Sequence, residues 1–270
     1  MRGILSVELA YHWGFWARPP IFSARQPTMT VPPPTTLVGA LARGLVNLAR
    51  AEGRHVPEWA RKDGEYVVPL AAELSRGIEA VYYRVISGVV TALVDKNRVF
   101  QAPYVREGNV LEDPSQMFAV RDLGKAYAPG VRAEAAFLID LEVVKGLGGP
   151  QRLIAAAHSI TRIGPAEGVV AVTKAELTPL DECREGVNDR EPCPYFPLKE
   201  DMELPTPWAR AEFLDWRDER TWTSMRNSAG KVAYAVPSSS WAAAQPEFPW
   251  CATLKRRLKF IICNGRTYPA

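Results

Sequence analysis

The 270-residue sequence predicts an α+β fold of the ferredoxin-like kind: a βαββαβ unit with a β-hairpin insertion and an irregular C-terminal extension. Three observations carry this. Four separate segments show the apolar patterning of strands, two stretches between them repeat apolar residues at helical spacing, and residues 91–133 fit neither period.

Residues 3–11 (GILSVELAY) alternate, with Leu5, Val7, Leu9 and Tyr11 on one side and Ser6, Glu8 and Ala10 on the other, as in a half-buried strand. In the next stretch, WGFWARPPIFSARQPTMTVPPP, prolines 19, 20, 27, 32, 33 and 34 exclude regular structure. A helix then opens with Thr35 or Thr36 as N-cap and carries Leu37, Leu41, Leu45 and Leu48 at helical spacing. Gly39 and Gly44 permit a close backbone approach. Arg43, Asn47, Arg50 and Arg54 share another face of this helix.

Residues 78–90 (IEAVYYRVISGVV), 134–144 (EAAFLIDLEVV) and 169–177 (VVAVTKAEL) read as the second, third and fourth strands. The turn at Gly148-Gly149-Pro150 starts a second helix, QRLIAAAHSI. Strands one and three are expected at the centre of an antiparallel sheet, with both helices on one face. The insertion reads partly as a hairpin with turns at Asp95-Lys96-Asn97 and Gly108-Asn109, and carries Lys96, Arg98, Arg106, Arg121 and Lys125. On this reading 1–177 form one domain, 91–133 its insertion, and 178–270 an extension that ends in the basic-flanked strand KRRLKFIIC.

With 47% hydrophobic and 23% charged residues, the composition is that of a folded chain. No apolar run reaches the roughly 18 residues of a membrane span, and Glu8 interrupts the N-terminal apolar stretch, so an intracellular, cytoplasmic protein with no membrane contact is expected. Charge is uneven. Residues 1–62 hold eight Lys/Arg against three acidic side chains, 176–220 six against thirteen, and 221–270 seven against one. Basic ends of this kind suit a polyanion.

The cysteines, at 183, 193, 251 and 263, include no CxxC pair, so no zinc ribbon is expected. Cys183 and Cys193 flank a short polar loop and are the candidate disulfide, although free thiols are the cytosolic default outside hyperthermophiles. With no acidic metal cluster, P-loop or dinucleotide turn, neither a metal nor a cofactor is expected.

The segment SARQPTMTVPPPTTLVGALARGL after the first strand, with PPPTTLVGAL at 32–41, and RIGPAEGVVAV at 162–172 resemble the fifth family of Cas proteins. These are RAMP-type subunits of type I CRISPR complexes, built on the RRM-like ferredoxin scaffold. The resemblance covers about residues 1–178, with Ala166 where the family more usually carries Lys, and its length and proline-rich tail look most like the archaeal type I-A branch. It implies a Cascade subunit that caps the 5′ handle of crRNA, packs against the backbone and large subunits, meets target DNA only indirectly, and uses the 91–133 insertion as a thumb.

The residue chemistry fits that role. Arg18, Phe22, Ser23, Arg25 and Gln26 lie in irregular chain before a helix N-terminus, where cations and backbone N–H groups meet phosphate and an aromatic ring stacks a base. Phe15 is a second stacking candidate, while Trp13, Phe15 and Trp16 also suit a core or an interface. Arg43 on the helix, Lys96, Arg98 and Arg106 on the insertion and Arg162 at the RIG turn complete the RNA-binding set.

The alternative is a metal-independent crRNA-processing endoribonuclease, in which Tyr11, His12 and Lys96 or Lys125 would assemble a base and a cation at a 2′-hydroxyl. A third reading is an interaction subunit that touches no RNA.

Overall fold

A computed structural model describes residues 1–17, 25–26, 28–54, 59–63, 66–100, 118–164, 167–188, 191–199, 202–223, 228–238 and 251–270. Chain order runs β1 (Arg2–Tyr11), the short β2 (Gly14–Phe15) and β3 (Arg25–Gln26), α1 (Pro34–Ala51), β4 (Trp59–Asp63), β5 (Tyr66–Pro69), α2 (Leu70–Ser75), β6 (Ile78–Ser87), β7 (Thr91–Phe100), β8 (Phe118–Tyr127) and β9 (Arg132–Asp140). There follow α3 (Leu141–Gly146), α4 (Pro150–His158), β10 (Val170–Pro179), β11 (Arg184–Glu185), β12 (Phe196–Pro197), β13 (Trp208–Leu214), β14 (Lys231–Pro237), β15 (Phe260–Cys263) and β16 (Arg266–Pro269).

The principal sheet has the order β10-β1-β9-β6, and every neighbouring pair is antiparallel. Alternation in β1 decides its two sides. Leu5, Val7, Leu9 and Tyr11 join Val81, Tyr83, Ala135 and Phe137 beneath α1 and α4, whose Leu37, Leu41, Leu45, Leu153 and Ala157 complete the main core. The helices touch at Gly44, where a Cβ would lie 2.1 Å from the Ala156 carbonyl oxygen. Gly44→Val should therefore force α1 from α4 and cost about 3 kcal/mol, read by urea denaturation; an unchanged midpoint would show that the helices can separate freely.

Several expectations change. The helix begins two or three residues earlier, with Pro33 as N-cap, Pro34 in the first turn and no side-chain cap, so neither Thr35 nor Thr36 caps it. The third strand stops at Asp140 instead of running to Val144. The Asp140 carboxylate accepts the Glu142 N–H at 3.0 Å, which starts α3, and Val143 fits against Gly77. The proline-rich stretch is not wholly irregular: β2 pairs with β8 antiparallel and β3 pairs with β8 parallel. The insertion holds two ten-residue strands, β7 and β8, in continuous antiparallel register from Thr91↔Tyr127 to Phe100↔Phe118.

The C-terminal extension is more regular than expected, since β12-β14-β13 and β11-β15-β16 form two three-stranded sheets. Proline and scattered tryptophan hid their alternation. The extension covers the second side of the principal sheet: Ile4, Ala80, Tyr82 and Ala136 pack with Phe196, Trp208, Leu254, Phe260 and Tyr268. Its cysteines pair as Cys183–Cys263 and Cys193–Cys251, not as Cys183–Cys193. Sequence proximity misled here, because strand packing brings β15 to Cys183 and the 251–254 turn to Cys193. Among the described residues no helix is long and apolar enough to cross a membrane, and no group of His, Cys, Asp and Glu could hold a metal.

Candidate nucleic-acid interface

Two arginines expected to meet RNA line one cleft. It has a volume of about 390 Å³ and runs between the first turns of α1 and the chain that links α4 to β10. Thr35, Thr36, Arg43 and Asn47 line it from the helix, and Thr161, Arg162 and Gly164 from the link. Helical periodicity explains the first group, because residues 36, 39/40, 43 and 47 fall on one stripe.

The other wall is set by the RIG turn. Arg162 bridges to Val169, Ile163 is buried, and Gly164 takes φ +83°, a conformation that favours glycine. A Cβ on Gly164 would lie 3.2 Å from the Trp16 carbonyl oxygen, so the turn presses against the end of the aromatic stretch. The Asn47 amide donates to the Ser159 carbonyl at 3.2 Å and fixes the distance between the walls.

The electrostatics are one-sided. No acidic residue lines the cleft among the described residues, α1 has none in its first turn, and the Arg43 and Arg162 side chains are exposed. The positive end of the α1 dipole adds to the two guanidinium charges, an arrangement that suits a phosphate oxygen. Thr36, Asn47 and Gly164 were not among the sequence candidates. Each left a signal of another kind: Thr36 at the helix start, Asn47 on the face of Arg43, and Gly164 as the glycine of the RIG turn.

The remaining candidates are distributed differently. Lys96 is exposed on β7, and Arg98 lies further along the same strand. Arg25 and Gln26 form β3, which pairs with Asp122 and Leu123 of β8, so the end of the proline-rich stretch is stitched to the hairpin. Arg18, Phe22, Ser23 and Arg106 lie outside the described residues. Phe15 is not a stacking platform: it is 2% exposed and packs on Tyr11 with ring centroids 5.3 Å apart.

The opposite side of the sheet is closed by the extension. There Glu134 stands opposite Glu8 on β1 and Arg84 on β6. Arg84 and Glu134 form an ion pair with side chains 0% and 1% exposed. Ser6 and Tyr268 both donate to Glu134, and the Arg84 guanidinium lies 5.0 Å from the Tyr268 ring centroid. Arg266 bridges Glu8 and Glu191 at 2.9 and 3.0 Å. Burial alone would raise the Glu134 carboxyl, but Arg84, the hydrogen bonds from Ser6 and Tyr268, and Arg266 hold it below its ordinary value.

The catalytic assembly weighed from sequence does not form around Tyr11. Its ring is buried in the core, its hydroxyl meets that of Tyr83 at 3.3 Å, and burial, with Tyr83 beside it, pushes the phenol well above its ordinary value. Such a group does not take a proton at neutral pH. His12, the next residue, lies past the end of β1 and is exposed.

The four-stranded antiparallel sheet with two helices on one side is an architecture met in CRISPR-associated proteins, and comparisons over most of the chain find such proteins. The CRISPR system aCascade subunit Cas5 1 of Saccharolobus solfataricus is 25% identical over 257 residues, covering 89% of this chain and 90% of that protein. The CRISPR-associated protein Cas5 3 of the same organism is 24% identical over 257 residues, with the same coverage. A CRISPR protein from Archaeoglobus fulgidus, solved by crystallography, shares the fold with a TM-score of 0.55 over 99% of this chain and 98% of its own, at 18% identity. No protein-family model matches. Over most of its length the chain is thus similar to proteins named Cas5.

Proposed function

We propose that this chain is a non-catalytic RNA-binding subunit of a type I CRISPR surveillance complex, Cascade, of the archaeal type I-A branch, and that it caps the 5′ handle of crRNA. On this reading the scaffold is the ferredoxin-like one, supported by the order β10-β1-β9-β6 with interleaved helices. The observation that carries the RNA assignment is the cleft itself. It is lined by Arg43 and Arg162, has no carboxylate among its described lining residues, and opens at a helix N-terminus beside the end of the aromatic stretch.

The β7–β8 hairpin acts as the thumb that guides the RNA, and the backbone and large subunits pack around it. Target DNA is met through these partners. The non-catalytic assignment draws support from Tyr11, whose phenol lies in the core.

The test is coexpression with the other complex subunits, followed by sequencing of the 5′ ends of the copurified RNA. A population with one common 5′ end is expected. Arg43→Ala/Arg162→Ala should reduce RNA retention on the order of tenfold and make its salt dependence shallower by roughly 1.4 in log–log slope, about 0.7 per lost phosphate contact on a single strand. Equal retention and equal slope would refute the cleft as the handle site. Metal-free cleavage of a repeat RNA that disappears in His12→Ala would establish the enzymatic reading in its place.

A further inference from the structure

The second basic end of the chain is not absorbed by the handle reading. Within 255–259 (KRRLK), Lys255, Arg256, Arg257 and Lys259 are all exposed, while Leu258 turns inward against the second core. The segment is anchored at both ends. Cys251 and Leu254, both fully buried, precede it, with Cys251 tied to Cys193, and Phe260 follows as the buried first residue of β15. The four cations therefore sit on a fixed ridge, and little ordering entropy opposes a ligand there.

None of the four has an ion pair among the described residues, whereas Arg2, Arg76, Arg132, Arg217 and Arg220 elsewhere on the surface each face a carboxylate within 4 Å. The Arg257 side chain donates to the Glu203 backbone carbonyl. Arg257 and Lys259 join Lys199 along an open groove of about 770 Å³, where Glu203 is the one acidic side chain among the described lining residues.

We propose that this ridge is a second polyanion site that binds the phosphate backbone of a nucleic-acid duplex. It stands on the side of the principal sheet remote from Arg43 and Arg162, because its inward leucines pack with Ile4, Ala80 and Tyr82 while α1 packs on the other side. A duplex fits better than a single strand. Single-strand surfaces combine cations with aromatic platforms for unstacked bases, and the described groove residues include no aromatic. A duplex keeps its bases stacked and offers phosphates alone to such a surface.

The experiment measures binding of the full chain to an unrelated DNA duplex of roughly 30 base pairs and to a single-stranded RNA of equal length, across a salt series. Lys255→Gln/Arg256→Gln/Arg257→Gln/Lys259→Gln should weaken duplex binding more than tenfold, with a salt slope shallower by up to about 3.6, 0.9 per phosphate. Lys255→Gln/Arg256→Gln, whose parent side chains make no hydrogen bond or ion pair among the described residues, should lose about half that slope and serves if the fourfold variant folds poorly. Arg43→Ala/Arg162→Ala should leave duplex binding unchanged, so a failure of the handle reading is recognised separately. Unchanged duplex affinity and slope in the ridge variants would overturn the proposal. A loss of single-stranded RNA binding equal to or greater than the duplex loss would overturn the assignment to a duplex.

Discussion

Arg84→Ala is expected to destabilise the protein by about 3–5 kcal/mol, lowering the melting temperature by roughly 10 °C, because it leaves Glu134 charged and buried without its counter-ion. The same guanidinium donates to the Pro192 carbonyl at 2.9 Å, so its loss also loosens the extension at the Cys193 bridge. Arg84→Met/Glu134→Gln should recover much of the deficit, since a neutral pair of similar volume costs far less than half of an ion pair. If the double variant is as unstable as the sum of the single ones, the two groups are not coupled and the account of this pair is wrong.

The pH dependence has a definite sign. The Glu134 carboxyl is lowered on folding, so its contribution is complete above the ordinary carboxylate value and is lost as pH falls through the folded value. Asp218 follows the same sign. Hydrogen bonds from Arg220, then from the Gly230 N–H, bring it from 3.8 to about 2, so its stabilising effect fades between those values.

Reduction of the disulfides should have an effect of comparable size. The bridges close stretches with sequence separations of 58 and 80 residues. Loop-closure entropy then assigns each about 4 kcal/mol through the unfolded state. Cys193→Ala/Cys251→Ala is expected to show a lower denaturation midpoint, and limited proteolysis should cut the extension before the principal sheet. Thiol titration confirms reduction in the parallel experiment with dithiothreitol. Full reduction with an unchanged midpoint would mean that the packing of Phe196, Trp208 and Tyr268 holds the extension unaided.

The scaffold was legible wherever a local period speaks for a whole element. β1 was read within a residue, and the start of α1 within three, because their apolar stripes are long and both abut the main core. The expected centre of the sheet, strands one and three, is the observed β1 and β9. Three features escaped because distant residues determine them. The cysteine partners depend on how β15 and the 251–254 turn pack. The short β3 exists because β8 offers it a free edge, which overrides the nearby prolines. The arrest of the third strand at Asp140 is a capping event that alternation does not register.

In the cleft, Arg43 and Arg162 were visible as basic residues beside a helix start and a glycine turn. That they share one wall space depends on Gly44 and Asn47, which hold α1 against α4. Glu8 read as the polar side of a half-buried strand. Its true surroundings, Arg132 and Arg266, come from opposite parts of the chain.

The Arg266–Glu8 contact joins residues 258 positions apart. A nascent polypeptide leaving the ribosome therefore carries Ser6, Glu8 and Glu134 as an unfinished acidic face until residue 266 has been synthesised, and the outer layer closes in a late, long-range step. Fragments that stop before β15 are expected to need a chaperone or an assembly partner to stay in solution.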